Sequence, residues 1–484
     1  MKTMGSADVL TENEIKLIHN NALKILSEVG ITVQNAKLLK LLADHGAVID
    51  IEKERVRFPK KFVEKIIAES SGEFDNVDGL EVSCVFPSGD RTVYSKGVEC
   101  TAGTYPANFL DLDGTLKPHT VETVSKMTRL ADYLPHIDRL GVMGVPSDIP
   151  GWSGPLYMRL IAWKNAEKKL SNCGEVHDVK LIPYIFEMAE VMADFKKAPL
   201  RRYAFAEVEL ITPLQFTRVE ADIFVKFWEK GLLCGIGFMY SAGGSSPATL
   251  AATVSLMVAE SLFVSILYRL CYGLRKLYLQ SNSSVMDMRR CVFAFGRPER
   301  GLMILAMGQM ARHYKAAFWG SAVFADAKQP SCEAGMQCAF NAIPAVMAGS
   351  LGIECFGILS MAEIGSPVQL VIDNEFAGGL KHFARGFNIN EDTLAFDLIK
   401  EKGSGGLFTD AEHTVAHYRT EHWRPEIFSS EGMNAWRQGD KKIDVDAARV
   451  ICENVFKNYH PRGIDEATEK KLVAIIKRAE KKLL

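Results

Sequence analysis

Between about residue 95 and residue 385 the chain repeats one pattern, a short apolar run followed by a longer segment with helical periodicity. Eight such runs occur, with starts roughly 30 to 45 residues apart, as a strand, a helix and two loops require. Eight consecutive βα units predict an α/β fold, a closed (β/α)8 TIM barrel over residues 95–385. Units 1 to 8 begin with GVECTAGTY (97–105), RLGVMGV (139–145), KLSNCGE (169–175), RYAFAEVEL (202–210), LLCGIGFMY (232–240), KLYLQSN (276–282), AAFWGSA (316–322) and GIECFGI (352–358).

The segments on either side of the predicted barrel have a different pattern. Residues 1–94 contain a capping box at Thr11 and Glu14, further helical spacing and two short strand-like runs, which together predict an α+β unit. Residues 386–484 predict a helical extension that ends in an amphipathic helix. The alternative for the central region is an open doubly wound sheet, but no GxGxxG follows its first run.

The bulk composition excludes several classes of partner. A net charge of −2 gives no electrostatic reason to expect nucleic acid or an anionic membrane surface. The longest apolar run, residues 251–270, is interrupted by Glu260 and Arg269, which predicts a buried helix and no membrane span. Ten cysteines without a CxxC pair, after an N-terminus unlike a signal peptide, predict a cytoplasmic protein.

Strand alternation predicts an acidic barrel interior. In unit 4, Glu207 and Glu209 share one face while Ala206 and Val208 share the other, and the apolar face should pack on helices. The same alternation in unit 6 places Tyr278, Gln280 and Asn282 on one face. Barrel active sites lie at the C-terminal ends of the strands. Because carboxylates face the interior near that end, we expect the ligand to be positively charged. Aromatic rings beside carboxylates bind quaternary ammonium groups, which cannot donate hydrogen bonds.

One stretch after the barrel, HTVAHYRTEHWRP (413–425), resembles a metal site. His413, His417 and Glu421 recur every four residues, so they share one face of a helix. The metalloprotease pattern HExxH is nevertheless absent, and Arg419 and Arg424 are interleaved with glutamates. We therefore predict an ion-pair and hydrogen-bond lattice at this helix, and no metal bound by His413, His417 and Glu421.

Three stretches carry a resemblance to a known family: HYRTEHWRP, SAVFADAKQPSCEAGMQ and SPVQLVIDNE. Together they resemble the trimethylamine methyltransferase family, over nearly the whole chain. The resemblance implies a (β/α)8 barrel that transfers a methyl group from a methylated amine to the Co(I) corrinoid of a separate carrier protein. Members that act on trimethylamine carry pyrrolysine, whereas this sequence contains only the twenty standard residues. It therefore resembles the branch that uses quaternary amines such as glycine betaine, proline betaine or carnitine.

On this resemblance we expect methyl transfer from a quaternary amine, first of all glycine betaine, to cob(I)alamin on a corrinoid carrier protein. No cofactor is expected on this chain itself, and a homo-oligomer is expected. The trimethylammonium group would lie between Tyr105, Tyr240, Phe324 and the carboxylates of Glu209 and Glu363. Candidates for binding the acid group of the substrate are His177, Asn282, Arg297 and Lys328.

Two other functions fit the same pattern. A barrel lyase or aldolase acting on a small polar metabolite would use Glu175 or His177 after unit 3 as its base. A non-catalytic betaine-binding barrel would have the same cation site without methyl transfer. Neither alternative is excluded by composition or spacing.

Overall fold

The computed structural model describes residues 5–70, 98–168, 170 and 176–483, and these residues form a mixed α/β structure. Its α-helices are Glu12–Lys24, Ala36–Asp44, Lys60–Ala68, Val121–Tyr133, Gly154–Asn165, Ile182–Lys196, Arg218–Glu229, Leu250–Tyr272, Pro298–His313, Cys332–Ala348, Pro367–Arg385, Glu391–Leu394, Phe396–Lys402, Glu412–Glu421, Met433–Gln438, Asp444–Asn458 and Glu466–Leu483. Shorter helical turns are Ile25–Val29, Gly151–Ser153, Val179–Leu181 and Leu200–Arg202.

The strands of the repeating units lie where the alternation predicts them. They are Glu99–Thr104, Arg139–Met143, Ala206–Leu210, Cys234–Phe238, Tyr278–Gln280, Ala317–Trp319 with Ser321–Ala322, and Gly352–Phe356. The run of unit 3 lies outside the described residues except for Leu170, which forms a parallel bridge with Leu140 of unit 2. Unit 4 begins four residues later than predicted, because Leu200–Arg202 forms a helical turn before the strand.

Neighbouring units pair in parallel and in chain order. Unit 6 pairs with unit 7, unit 7 with unit 8, unit 8 with unit 1 and unit 1 with unit 2. Unit 4 pairs separately with unit 5, in the register Glu209 to Gly237. The described strands therefore form several small parallel ladders, and backbone pairing alone does not show a closed ring. Short hairpins extend units 1, 6 and 8 beyond their C-terminal ends, at 108–118, 284–294 and 358–365.

The N-terminal segment shares its sheet with the central region. Strands Ile31–Val33, Val48–Asp50 and Arg55–Arg57 are completed by Gln215–Phe216, which follows unit 4. Thr11 and Glu14 form the predicted capping box at the first helix, and the hydrophobic core continues without a break into the central region. The domain boundaries at residues 94 and 385 remain predictions.

The last two helices close over the outside of the central region. Asp444–Asn458 packs on Pro367–Arg385 and Val121–Tyr133. The final helix, Glu466–Leu483, packs on Gly154–Asn165 and Ile182–Lys196 and buries a stripe formed by Thr468, Leu472, Ile475, Ile476 and Ala479. The predicted amphipathic helix at the C-terminus is therefore confirmed, since its apolar spacing is what contacts the core.

The helix Leu250–Tyr272 is long and strongly apolar. By length and composition it is able to cross a membrane, but 78% of its most apolar window is buried inside the protein. It packs on the first helix and on the strand of unit 6, which confirms the prediction of a buried helix. Glu260 in its middle is fully buried, and its carboxylate accepts a hydrogen bond of 2.6 Å from the amide of Leu214.

The buried carboxyl of Glu260 should make stability depend on pH. Burial raises its pKa to about 8, although hydrogen bonds from Tyr240 and Leu214 act in the opposite direction. The unfolded chain loses this proton near the ordinary value of 4.5, so the stabilising contribution is complete below that pH and is lost as the pH rises toward 8. We expect the free energy of unfolding to fall by about 2 kcal/mol more in the wild type than in Glu260→Gln between pH 6 and pH 8.

Urea unfolding at pH 6, 7 and 8 measures this difference. Glutamine keeps the acceptor for the Leu214 amide and cannot ionise, so the variant isolates the proton from the packing. Glu12→Gln, at an exposed residue of the first helix, is the matched control and should leave the wild-type pH profile unchanged. Parallel profiles in the wild type and in Glu260→Gln would show that Glu260 ionises in the folded protein without cost.

Candidate functional site

An acidic face lies on the inner side of units 4 and 5. Glu207 and Glu209 are half-buried, whereas the residues that alternate with them in unit 4 are buried. Their register partners in unit 5 are Gly235 and Gly237. A side chain at Gly237 would meet the Glu209 carboxylate at 2.3 Å, so the carboxylate lies directly over this glycine. Gly237 thus provides the space that the Glu209 carboxylate occupies.

Units 7 and 8 contribute an aromatic ring and a third carboxylate to the same side. The ring of Trp319 lies over Gly352, where an added side chain would meet it at 2.2 Å. Trp319 also hydrogen-bonds Glu354, which lies on the same face of unit 8 as Gly352. Both Trp319 and Glu354 retain partial exposure although they face inward. Solvent-sized space therefore reaches this interior face.

A buried ion pair lies below these groups. Arg139 of unit 2 contacts Glu99 of unit 1 at 2.6 Å, and both side chains are about 95% buried, with exposures of 5% and 6%. Burial raises the pKa of Glu354 to about 7, and the charge of Glu99 raises it further, against a hydrogen bond from Trp319 and the charge of Arg139. Tyr278 of unit 6 interacts with Glu207, Glu354 and Glu209. The interior positions therefore carry more carboxylates than cations, which favours a positively charged ligand.

An aromatic cluster lies at the C-terminal ends of units 6 to 8. The rings of Phe293 and Phe295 lie 4.5 Å apart, and those of Phe295 and Phe324 lie 4.3 Å apart. Together with Cys355 and Ile358 they form a small hydrophobic cluster that is separate from the main core. The guanidinium of Arg300 lies 5.2 Å from the centre of the Phe295 ring and 5.8 Å from that of Phe324. Arg300 thus occupies the cation–π positions of these two rings.

Arg300 also fixes the orientation of Asn282. It is fully buried and donates a hydrogen bond of 2.8 Å to Oδ1 of Asn282, besides bonds of 3.3 Å to the carbonyls of Ser283 and Ala322. A guanidinium can only donate, so the amide atom that faces it must be the oxygen. The amide nitrogen of Asn282 then points elsewhere, and no acceptor for it occurs among the described residues. Asn282 is half-buried, so this donor can meet a ligand.

The loop that follows unit 8 is held in an unusual backbone conformation. Ser360, Met361 and Ala362 all have positive φ, at 53°, 55° and 71°, which costs energy for residues with a side chain. The amides of Ser360 and Met361 bond the carbonyls of Ala327 and Ala325 in the loop after unit 7, which holds the strained turn in place. Strain of this kind concentrates at functional sites, and Met361 and Ala362 pack on the aromatic cluster.

Two of the stretches that carried the family resemblance support these loops. Asp373, from SPVQLVIDNE, is buried and accepts hydrogen bonds of 2.7 Å from the amide of Gly357 and from Gln369. Gln337, at the end of SAVFADAKQPSCEAGMQ, accepts from the amide of Asp326, whose carboxylate in turn accepts from the amides of Phe295 and Gly296. These motif residues therefore hold the loops in place and do not themselves face the interior.

The structure separates the predicted site residues into two groups. It places Glu209 on the interior face, Asn282 at the end of unit 6 and a half-buried Tyr105 at the end of unit 1. Phe324 lies in the aromatic cluster, with Arg300 against its ring. Tyr240 is fully buried and faces Glu260, because it continues the helix-facing side of unit 5 with Phe238.

The remaining predicted residues lie on the surface. His177 is exposed, and Glu175 lies outside the described residues. Arg297 is exposed and forms an ion pair of 3.0 Å with Asp287. Lys328 is exposed and bonds the carbonyl of Asp326, and Glu363 is exposed and accepts from Ser360 at 3.1 Å. The side chains of His177, Arg297, Lys328 and Glu363 are not brought to the interior face that holds Glu209.

Sequence reasoning did not select Trp319 as a site residue, and it missed Glu354 and Arg300. The first two were detectable, because alternation in unit 8 places Glu354 on the same face as Gly352, and the same rule applied to unit 7 turns Trp319 inward with Ala317. Arg300 had no such signal. It lies in the first turn of the helix Pro298–His313, and its burial depends on the loops that surround it.

Of the lattice predicted at residues 413–425, the arginine ion pairs are wrong, whereas hydrogen bonds from His382 and Arg385 to the carbonyls of Glu421 and Thr420 do attach this helix to Pro367–Arg385. Within the part of the chain that the structure describes, Arg419 and Arg424 form no ion pair with the neighbouring glutamates, and both are exposed. Arg419 bonds the hydroxyl of Tyr418 instead. His413 and His417 do share a helix face, but the carboxylate that joins them belongs to Asp392 rather than Glu421.

Comparison with known proteins finds methyltransferases that match nearly the full length of the chain. The sequence model of the family described as Trimethylamine methyltransferase (MTTB) matches residues 1–483. A glycine betaine methyltransferase of Desulfitobacterium hafniense (strain Y51) is 27% identical over 98% of this chain and 98% of its own length. Trimethylamine methyltransferase MttB of Desulfitobacterium hafniense (strain DSM 10664 / DCB-2) is 23% identical over 97% and 93%. MttB of Methanosarcina barkeri (strain Fusaro / DSM 804) is 23% identical over 98% and 95%.

Proposed function

This chain belongs to the trimethylamine methyltransferase family, and from that membership we propose that it moves a methyl group from a quaternary amine to the Co(I) corrinoid of a separate carrier protein. It is a methyltransferase, because the relatives that match nearly its whole length are methyltransferases. The observation that carries the proposal is the acidic interior, where Glu209 lies over Gly237 beside Glu207, Tyr278 and Glu354.

The proposal includes a closed eight-stranded barrel. Tyr278 of unit 6 interacts with Glu207 and Glu209 of unit 4 and with Glu354 of unit 8. Glu354 in turn interacts with Glu99 of unit 1. Side chains of units 4, 6 and 8, which are not neighbours in the chain order, thus interact electrostatically, and this supports the proposed barrel.

The cation of the substrate would bind at the C-terminal end of this interior. Glu209 is the last inward residue of unit 4, and Trp319 is a partly exposed ring that hydrogen-bonds the carboxylate of Glu354. A trimethylammonium group has no hydrogen to donate, so an aromatic face and carboxylates are the groups that bind it. We assign this role to Trp319 and Glu209, with Tyr105 as a further ring at the end of unit 1.

The carboxylate of a betaine would bind to Asn282. Its amide nitrogen is directed away from Arg300, and it is the predicted donor that the structure leaves half-buried at the end of a barrel strand. Arg297, Lys328 and His177 lie exposed outside this interior. A betaine carries its own positive charge, which compensates the charge of its carboxylate. A neutral amide donor can therefore bind that carboxylate, and no cation of the protein is required.

The chemistry requires positioning rather than a base. When the methyl carbon leaves a quaternary nitrogen, the electron pair of the C–N bond stays on nitrogen, so the departing group is a neutral tertiary amine. The carbon forms its new bond with the electron pair of the Co(I) acceptor, in line with the breaking bond. The protein must therefore bind the amine with one methyl group toward the barrel mouth, where the carrier protein docks.

The relatives support a quaternary substrate. The relative named for glycine betaine is 27% identical to this chain, whereas two relatives named for trimethylamine are 23% identical. The sequence contains only standard residues, which agrees with a reaction that needs no covalent activation of the amine. We propose glycine betaine as the substrate to test first, with proline betaine and carnitine as the other members of the class.

A direct assay tests the function. We expect anaerobic mixtures of the protein, glycine betaine and cob(I)alamin to form methylcobalamin, followed by absorbance, and the rate to increase when a corrinoid carrier protein replaces free cob(I)alamin. Methylcobalamin from trimethylamine alone would place the protein on the other branch of the family. Betaine binding without methyl transfer to either acceptor would support a binding protein, and turnover of a polar metabolite instead would support a lyase or aldolase.

The expected homo-oligomer and the cytoplasmic location remain proposals. Exposed apolar side chains are frequent between residues 387 and 415, where Phe387, Leu394, Phe396, Leu407 and Val415 are 64%, 59%, 69%, 75% and 61% exposed. Apolar side chains at this density favour contact with another protein surface. We place the contact between copies at this segment.

A further inference from the structure

We propose that Asp392, His413 and His417 form a zinc site that fixes the segment between the barrel and the C-terminal helices. One potential ligand atom from each of the three side chains lies within 4.8 Å of the other two. Two imidazoles and one carboxylate, with a water as the fourth ligand, are a common zinc ligand set. The site does not involve the barrel interior, so the proposal is independent of methyl transfer.

One of the three separations already matches that of zinc ligands. His417 Nε2 and Asp392 Oδ2 lie 3.3 Å apart. Two ligands at about 2.0–2.1 Å from a tetrahedral zinc ion are separated by roughly 3.3–3.4 Å. His413 lies one helical turn before His417, and the ring centroids of the two histidines are 4.2 Å apart. The ligand atoms of all three residues lie within 4.8 Å of one another, so the His413 ring would move closer to bind the same ion.

A metal ion at this site would stabilise the surrounding segment. Among residues 385–410, which include the short helices Glu391–Leu394 and Phe396–Lys402, no side chain is buried. Short helices without a buried face are unstable in water. The described contacts that attach Asp392 to the helix Glu412–Glu421 are its ion pair with His417 and a 3.0 Å hydrogen bond between its carbonyl and His413 Nε2. A metal ion bound by the same three residues would cross-link the two elements.

A hydrogen-bonded cluster without metal is the competing interpretation. The contacts of His413 and His417 with Asp392 would also attach the short helix without a metal ion. Metal content therefore distinguishes the two interpretations.

The test uses the full-length protein stripped with a chelator and titrated with Zn²⁺ in competition with a chromophoric chelator. We expect one equivalent of zinc per chain in the wild type and in His422→Gln, a control at an exposed histidine just after the same helix. Binding should weaken at least 100-fold in His413→Gln, His417→Gln and Asp392→Asn. Co²⁺ serves as a spectroscopic probe of the same site. It should give the visible absorption of a tetrahedral site in the wild type, and not in the variants that fail to bind zinc.

Limited trypsin digestion supplies a second measurement. Cleavage after Lys400 and Lys402 should slow at least fivefold when zinc is added to the wild type, and should not change in His417→Gln. Thermal unfolding of the metal-free proteins checks that the variants fold like the wild type. Less than 0.2 equivalents of zinc in the wild type, or equal zinc affinity in His417→Gln, would overturn the proposal.

Discussion

Replacing Arg300 with methionine is expected to lower the free energy of unfolding by about 3 kcal/mol, although methionine fills most of the same space. The guanidinium is fully buried and donates to Asn282, Ser283 and Ala322. Methionine donates no hydrogen bond, so each of these three acceptors loses one hydrogen bond, at about 1 kcal/mol each. The variant also loses the cation–π contacts of Arg300 with Phe295 and Phe324.

Urea unfolding at pH 7 measures the change, with Arg297→Met as the matched control. Arg297 lies three residues earlier and pairs with Asp287 at the surface, so its loss should cost less than 1 kcal/mol. If Arg300→Met folds well enough to assay, the KM for glycine betaine should rise, because Asn282 loses the contact that directs its amide nitrogen. Equal free energies of unfolding for the two variants would contradict this prediction, because Arg300 would then contribute no more to stability than the surface residue Arg297.

The second large effect is expected from Glu209→Gln, which should raise the KM for the quaternary amine about 5- to 30-fold, equivalent to 1–2 kcal/mol. The carboxylate contributes through its charge, and the neutral amide keeps nearly the same shape over Gly237. Because the positive charge on nitrogen disappears as the methyl group leaves, Glu209 stabilises the bound substrate more than the transition state. We therefore expect kcat to stay the same or to rise.

Steady-state kinetics of methylcobalamin formation separate the two constants. Glu363→Gln is the control, since Glu363 was the other carboxylate expected at the cation and the structure places it exposed beside Ser360. Its KM should change less than twofold. A large fall in kcat for Glu209→Gln with an unchanged KM would indicate that this carboxylate acts in the chemical step, against the role proposed for it.

The amino-acid sequence by itself determined the repeating units and the direction of the strand side chains. A strand has a period of two, so the apolar residues of unit 4 necessarily turn Glu207 and Glu209 to the opposite face. The helices of both flanking segments and the buried helix Leu250–Tyr272 followed from the same kind of local periodicity. These features depend on residues that are close in sequence, where spacing alone decides which side chains share a face.

The tertiary structure decided which residues meet. Tyr240 was expected at the barrel mouth and lies in the helix-facing layer against Glu260, because its distance past the end of unit 5 keeps it in phase with Phe238. Arg300 reaches Asn282 across 18 residues. Asp392 joins His413 and His417 from a separate helix, so the helical spacing that suggested Glu421 did not predict it. Contacts between distant segments depend on loop paths and on burial, and neither is encoded in the spacing of one element.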